Sequence, residues 1–384
     1  MKNKYIVIYY PFPFNVKLNV GSGVRMTNMI KEFQKFGLDN NIDIIFIQGN
    51  QLERTRQFKK IKSLVDPNDI LYCYIELPNI PLILSNENHI PSSPLIDINF
   101  FKFLKGNFVP FGGFLRDIYW MFDDMYPLKG VKKIVMVQLN KYYLKLYQKY
   151  FDVLFLPSLK MNEYVLSSPE KVHALPSGGQ CNVARNELHL HPSKKWRAIY
   201  VGSLHGTAGI LELLKAFELY NLNNQTNKAI ELIFICRENE FDLNKSLFEP
   251  FINYGWLNIF HEDSENLSSY YLTADFAIIP YSRNKYNDFA MPVKAIEYLS
   301  YGLPILSTNL SAMTLFIREN ECGYIVEDNH VSINNGLLKV VELIENGNLQ
   351  KTKILSTFQK SHTWRERVLE IDKALREADI RNGK

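Results

Sequence analysis

Apolar and polar positions follow two rhythms along this chain. Short continuous apolar runs, "YIVIYY" (5–10), "IDIIFIQ" (42–48), "DILYCYIEL" (69–77) and "VLFLPS" (153–158), have the length and composition of buried strands. Between the first two, "GVRMTNMIKEFQKFG" (23–37) repeats apolar residues at helical spacing and stops at Gly37, a residue suited to a helix C-terminus. Such strands alternating with helices predict a parallel sheet covered on both faces.

The rhythm then restarts. "KWRAIYVGSL" (195–204) predicts a strand entering a turn, and "GILELLKAFELYN" (209–221) a helix. "AIELIFIC" (229–236), "LNIFHE" (257–262), "FAIIPY" (276–281), "PILST" (304–308) and "GYIVE" (323–327) predict five more strands. "LPSGGQCNVARNELHLHPSKK" (175–195), rich in Gly, Pro, Ser and Asn, suits a hinge. The tail "SHTWRERVLEIDKALREADIR" (361–381) predicts an amphipathic helix docked back on a domain. The expected organisation is therefore α/β: a Rossmann-like doubly wound domain over 1–180, a second over 190–360, and a closing helix over 361–384. Two such sheets facing across a cleft would bind ligands at their strands' carboxyl ends.

Composition narrows the field. At 384 residues and 46% apolar content the chain can build two cores. A net charge of +4, with no zinc-finger spacing, RNP pattern or continuous basic helix, gives no case for nucleic acid. Cys73, Cys181, Cys236 and Cys322 form no C-x-x-C pair and lie in or beside apolar stretches, which predicts buried free thiols in a reducing compartment. The N-terminal apolar run is shorter than a signal peptide needs, and no stretch approaches the roughly 18–20 apolar residues of a membrane span. A cytoplasmic protein is expected, with contact to the inner face of a membrane left open.

One stretch carries chemistry. In "MPVKAIEYLSYGLPIL" (291–306), Pro292 suits a helix start and Gly302 a helix stop. Lys294 falls in the first turn, where free backbone N–H groups and the positive dipole end already favour phosphate. Glu297, three residues on, shares its face and can accept the hydroxyls of a ribose. The competing reading is an ordinary ion pair on a surface helix.

"DFAMPVKAIEYLSYGLPILSTN" resembles the donor-site signature of GT-B glycosyltransferases, most closely family 4 and its relatives (glycosyltransferase group 1). Further segments follow in the order of that family: "NVGSGVRMTNMIKEFQKFG", "FDVLFLPSLKMNEYV", "LPSGGQCN", "IYVGSLHGTAGILELLKAF", "YYLTADFAIIPYS" and "HTWRERVLEI". The resemblance implies a nucleotide-sugar donor, UDP-sugar favoured, held by the C-terminal domain. It places donor contacts at Gly202 and Ser203 and at Met291, Pro292, Val293, Lys294 and Glu297, and Arg237 and Arg283, which follow strand ends, could add charge there. It also gives Gly21, Ser22 and Gly23 the role of a Gly-rich first loop approaching donor or sugar. For the two arginines a solvated loop, and for the glycines a plain loop, is the alternative.

The departures are specific. Phe289 stands where the family often has a first Glu, and the nearest acid is Asp288. The common Arg and Lys after the first donor-domain strand are replaced by Ser203, Thr207 and Ala208. In relatives of the P-x-K-x-x-E-Y form, Lys294 would take over phosphate binding.

For catalysis the resemblance points to "FVPFGGFLRDIYWMFDDMYP" (108–127), with Asp117 as the group facing the donor sugar; Arg116 beside it would favour a charged role if the two paired. Asp123 and Asp124 compete, with a surface role as their alternative. No D-x-D triplet follows a strand, so no catalytic metal or other cofactor is expected. The expected acceptor is a glycan, lipid-linked or protein-linked hydroxyl in cell-surface polysaccharide or glycoconjugate assembly, and retention is the leaning. "KGVKKIVMVQLNKYYLKLYQK" (129–149) has six Lys and no acid, with Lys141, Lys145 and Lys149 on one helical face. That face suits an anionic membrane or simply water. A catalytically silent partner or glycan-binding subunit, and a sugar-nucleotide epimerase, are the alternatives to transfer. A dehydrogenase is disfavoured by the lack of a G-x-G-x-x-G after a strand.

Overall fold

The computed structural model describes residues 3–12, 21–181, 183, 195–223 and 229–381. The chain divides into two units, Met1–Ser177 with Trp364–Lys384, and Gly178–Thr363.

The first unit holds β1 (Lys4–Tyr10), β2 (Ile42–Gln48), β3 (Ile70–Glu76), β4 (Phe111–Phe114), β5 (Val153–Leu156) and β6 (Val172–Ala174) in one parallel sheet of order β2-β1-β3-β4-β5-β6. Its helices are α1 (Gly21–Asn40), α2 (Gln51–Leu64), α3 (Ile96–Gly106), α4 (Gly130–Tyr150) and α5 (Asn162–Val165). Residues Ile6 to Tyr10 of β1 are all buried, as the unbroken apolar run requires of a strand covered on both faces.

The second unit holds β7 (Trp196–Val201), β8 (Ile230–Ile235), β9 (Leu257–Phe260), β10 (Phe276–Ile279), β11 (Ile305–Thr308) and β12 (Gly323–Val326), again all parallel, in the order β12-β11-β10-β7-β8-β9. The order reverses between β7 and β10, which is the switch point of a Rossmann-type sheet. Its helices are α6 (Ile210–Asn223), α7 (Glu238–Leu243), α8 (Lys245–Phe248), α9 (Ser268–Thr273), α10 (Lys285–Phe289), α11 (Val293–Ser300), α12 (Ser311–Asn320), α13 (His330–Glu345) and α14 (Lys351–Ser361). α6 and α13 bury one face of the sheet and α11, α12 and α14 the other.

The last helix, α15 (Trp364–Arg381), returns to the first unit. Trp364, Val368, Ile371 and Leu375 enter the core built by Ile6, Phe33 and Tyr74.

Three expectations need correction. α1 begins at Gly21, so Gly21, Ser22 and Gly23 form its first turn rather than a loop before it. α1 also runs past Gly37, which is no cap. A Cβ there would lie 2.6 Å from the Ile42 carbonyl oxygen, so glycine serves the close approach of helix to strand. Cys73, Cys236 and Cys322 are buried thiols, but Cys181 is exposed. It accepts the side-chain N–H of Gln359 at 3.2 Å in a turn outside the core. Most of the expected hinge, residues 182 and 184–194, lies outside the described residues.

Candidate active site

α11 is short, and its sequence defines both of its ends. Pro292 stands at the N-cap with extended backbone, leaving the N–H groups of Val293 and Lys294 without helical partners. Gly302 adopts φ 68°, its N–H donates to the Leu299 carbonyl at 2.9 Å, and Leu303 N–H to the Tyr298 carbonyl at 3.0 Å. This is a Schellman stop, and Gly302 is the residue that tolerates it. Ala295, Ile296, Tyr298 and Leu299 bury one side of α11. The Tyr298 hydroxyl accepts the Val201 N–H at 3.0 Å, tying α11 to the end of β7 across the switch point.

Lys294 and Glu297 meet on the other side. Lys294 Nζ donates to Glu297 Oε2 at 2.7 Å, and their side chains are 27% and 29% exposed. A third group, foreseen by no motif, completes the cluster. The Tyr271 hydroxyl of α9 donates to Glu297 Oε1 at 2.9 Å and accepts from Lys294 Nζ at 3.2 Å. Burial, then the Glu297 charge, pushes the Tyr271 hydroxyl far above its usual range, so it remains a donor at neutral pH. The pair is thus the predicted i,i+3 contact, but it sits half-buried on a tyrosine rather than in open water.

The neighbouring turns are held by side chains. Gly202 N–H donates to the Ile235 carbonyl at 3.1 Å, and the Tyr200 hydroxyl to the Ser203 carbonyl at 2.8 Å. Glu240 accepts the Leu204 N–H at 2.8 Å and pairs with Arg237 at 3.2 Å. Arg237 is otherwise exposed at the end of β8. Asn287 bridges the turns after β7 and β10, donating to the carbonyls of Thr207 (3.2 Å) and Ser282 (2.8 Å). Arg283 N–H donates to Asp328 at 2.7 Å, and its guanidinium lies 3.9 Å from Asp288. Asp288 accepts both the backbone N–H (3.0 Å) and the hydroxyl (2.8 Å) of Ser311 at the start of α12, while Phe289 is buried. Met291 packs partly buried on the same core as α11. Gly202, Ser203, Arg237 and Arg283 therefore follow the carboxyl ends of β7, β8 and β10, while Met291 to Glu297 lead into and form the first turns of α11, beyond α10.

The first unit's carboxyl edge departs from expectation. Asp117 follows β4, but its Oδ1 accepts the N–H groups of Ile118 (2.6 Å) and Tyr119 (2.9 Å), closing a local turn. Arg116 turns to Glu76, the last residue of β3, at 3.7 Å. Glu76 is buried and also receives Arg25 Nε (3.1 Å) and the Tyr74 hydroxyl (2.8 Å). The Arg25 guanidinium carbon lies over the Phe114 ring, 3.8 Å from its centroid. Sequence reading passed over Glu76, although a glutamate closing the apolar run "ILYCYIE" is an available signal. Asp123 is exposed and pairs with Lys133 at 2.8 Å, and Asp124 shares that exposed turn. Among the described residues no group of three or more His, Cys, Asp or Glu is placed to hold a metal ion.

The two doubly wound units are those of the GT-B fold, and comparison with solved structures agrees over the whole chain. A glycosyltransferase from Rickettsia africae superposes with TM-score 0.64 at 14% identity, covering 98% of this chain and 99% of its own. Sucrose-phosphate synthase from Thermosynechococcus elongatus gives TM-score 0.64 at 13% identity, covering 98% and 99%. An Anabaena protein, HepE, solved with UDP and glucose, gives TM-score 0.59 at 9% identity, covering 97% and 99%. Residues 185–353, most of the second unit, match the family described as "Glycosyl transferases group 1", the group that the motifs resemble. No curated protein matches the chain.

Proposed function

We propose that this chain is a glycosyltransferase that moves a sugar from a nucleotide-sugar donor to a hydroxyl of a glycan, glycolipid or glycoprotein acceptor. The observation that carries the reading is the Lys294–Glu297–Tyr271 cluster beside the free N–H groups of α11, within a segment that matches group 1 glycosyl transferases. On this reading Lys294 leaves Glu297 for the donor diphosphate, and the Val293 and Lys294 amides bind the same group. Glu297, still held by Tyr271, accepts the ribose hydroxyls. Gly202 and Ser203 line the approach from β7, with Arg237 and Arg283 adding positive charge. The Anabaena protein's UDP and glucose favour a UDP-sugar. The charge of the departing diphosphate is met by Lys294 and backbone donors, and retention of the anomeric configuration is the expected outcome.

Asp117 is the proposed sugar-facing carboxylate, and Asp117→Asn tests it cleanly. The amide keeps one acceptor for the turn, so stability should hold while turnover falls about 100-fold or more, the effect of losing a charged catalytic group. Turnover within a few-fold of wild type would reduce Asp117 to its turn.

A second reading, a silent member that binds a glycan or a partner transferase, is favoured by the buried Phe289 and by the Ser311 contacts of Asp288. The deciding experiment is a thermal-shift panel of UDP-, GDP-, ADP- and CMP-sugars on wild type and Lys294→Ala, followed by product detection with the class that binds. A ligand at ~100 times its Kd stabilises by about 2.7 kcal/mol, well within detection. A shift in wild type that the variant loses supports the donor site. No shift at millimolar ligand overturns it, and a shift without turnover favours the silent reading.

A further inference from the structure

α4 contains no acidic residue, and with Lys129 at its N-cap it carries six lysines. Its inward side is fixed by Tyr143, Leu144 and Tyr147, all buried. At 3.6 residues per turn, the opposite stripe runs through Val131, Ile134 and Val135, then Lys141, Tyr142 and Lys145, to Lys149, all within about a third of the circumference. Val131 is 75% exposed, Ile134 63%, Val135 57% and Tyr142 51%, and the three lysines are exposed as well.

A helix on a water-facing surface ordinarily turns its polar residues outward. α4 does so only in its second half. In the first two turns three β-branched aliphatics at i, i+3 and i+4 stand outward instead, forming one apolar patch. Lys129 and Lys132 flank that patch, and Lys141, Lys145 and Lys149 continue its stripe without a counter-charge from the helix. Lys133 alone turns aside, paired with Asp123. The core of a protein–protein interface is typically aromatic and depleted in lysine. Outward aliphatics bracketed by lysines are the chemistry of a helix lying in a lipid interface, where long lysine stems reach headgroup phosphates while the aliphatics enter the acyl boundary. Among the described residues no helix is long and apolar enough to cross a membrane, so the helix would lie on the surface rather than span it.

We propose that the outward stripe of α4 docks the first unit on an anionic lipid surface. The proposal is independent of sugar transfer. If both hold, the acceptor is presented at the membrane and a lipid-linked sugar is the class to try first.

The test is co-sedimentation of the full chain with vesicles of phosphatidylglycerol mixed with phosphatidylcholine, beside pure phosphatidylcholine. Wild type should bind the mixed vesicles at low salt, and about 10-fold less well on neutral vesicles or at raised salt. Ile134→Asp with Val135→Asp, and separately Lys141→Gln with Lys145→Gln, should each weaken binding about 10-fold. Both changes lie on exposed positions, so the melting temperature should stay unchanged. Wild type remaining in the supernatant with anionic vesicles overturns the proposal, as do variants that bind like wild type. Self-association by sedimentation velocity that Ile134→Asp abolishes, without vesicle binding, assigns the patch to a second copy and equally overturns it. Vesicle binding together with failure to bind any nucleotide-sugar overturns only the sugar-transfer reading.

Discussion

The two units contain the same three chemical groups in two settings. In the first, Arg54, Asp97 and Tyr9 form a cation–carboxylate–phenol cluster with no exposed side chain. Arg54 reaches Asp97 at 3.2 Å, the Ser85 hydroxyl at 3.0 Å and the Gly49 carbonyl at 2.6 Å, and the Tyr9 hydroxyl donates to Asp97. In the second, Lys294, Glu297 and Tyr271 make the same triangle with over a quarter of each charged side chain open. The buried cluster spends its hydrogen bonds on β1, α2, α3 and the turn before α3, which leaves a ligand no donor to claim. The half-open cluster can exchange one partner for another. Arginine with its planar fork suits the first role, and a single mobile ammonium the second.

The largest expected effect is on the buried cluster. Asp97→Ala leaves the Arg54 guanidinium buried and uncompensated, and should cost about 3–5 kcal/mol of stability, read by denaturant unfolding. A loss under about 1 kcal/mol would mean that water enters this site and that the contrast in burial is overstated. Lys294→Ala inverts the pattern. Stability should change by less than about 1 kcal/mol, whereas nucleotide-sugar affinity should drop at least ~10-fold by isothermal titration. Equal affinity in the two proteins would return this pair to an ordinary surface contact.

The phenols sharpen the comparison at smaller scale. Tyr9→Phe should cost about 1–3 kcal/mol, because it strips a buried carboxylate of a donor. Tyr271→Phe should cost about 1 kcal/mol or less, since water can reach Glu297 in its place. The smallest effect belongs to an open pair, Glu212 with His330, at 2.7 Å. Burial pushes the Glu212 carboxyl up, but its hydrogen bonds from His330 outweigh that and hold it below the usual range. A depressed carboxyl contributes stability above its unfolded value of about 4.3, which is lost as pH falls through the folded value. The difference between wild type and Glu212→Gln should therefore be a few tenths of a kcal/mol near neutral pH and vanish in acid.

Much of this was legible. The runs that became β1, β2, β7 and β8 are short and mostly apolar, and their alternation with helices points to a covered parallel sheet. Lys294 and Glu297 were legible because helical spacing alone brings them together. β4 was harder, since "FGGF" lacks strand propensity. Its glycines answer a packing demand, as a Cβ on Gly112 would lie 2.4 Å from the Val153 carbonyl oxygen. The partners of Glu297 and Arg116 were not legible at all. Tyr271 lies 26 residues from Glu297, and Glu76 lies 40 before Arg116, so only the folded sheet brings them into reach. Arg116 and Asp117 are adjacent in sequence, yet Arg116 reaches Glu76 while Asp117 closes its own turn on the N–H groups of Ile118 and Tyr119.

α15 has a consequence for the order of assembly. The first unit's sheet needs a helix that follows the whole second unit in the chain. Until Trp364, Val368, Ile371 and Leu375 arrive, the sheet face around Ile6 and Tyr74 has only α1, through Met29 and Phe33, to cover it. The second unit is contiguous and can close first. The first unit, although its strands precede the second unit in the chain, would therefore finish after it, with part of an apolar face to shield in the interval.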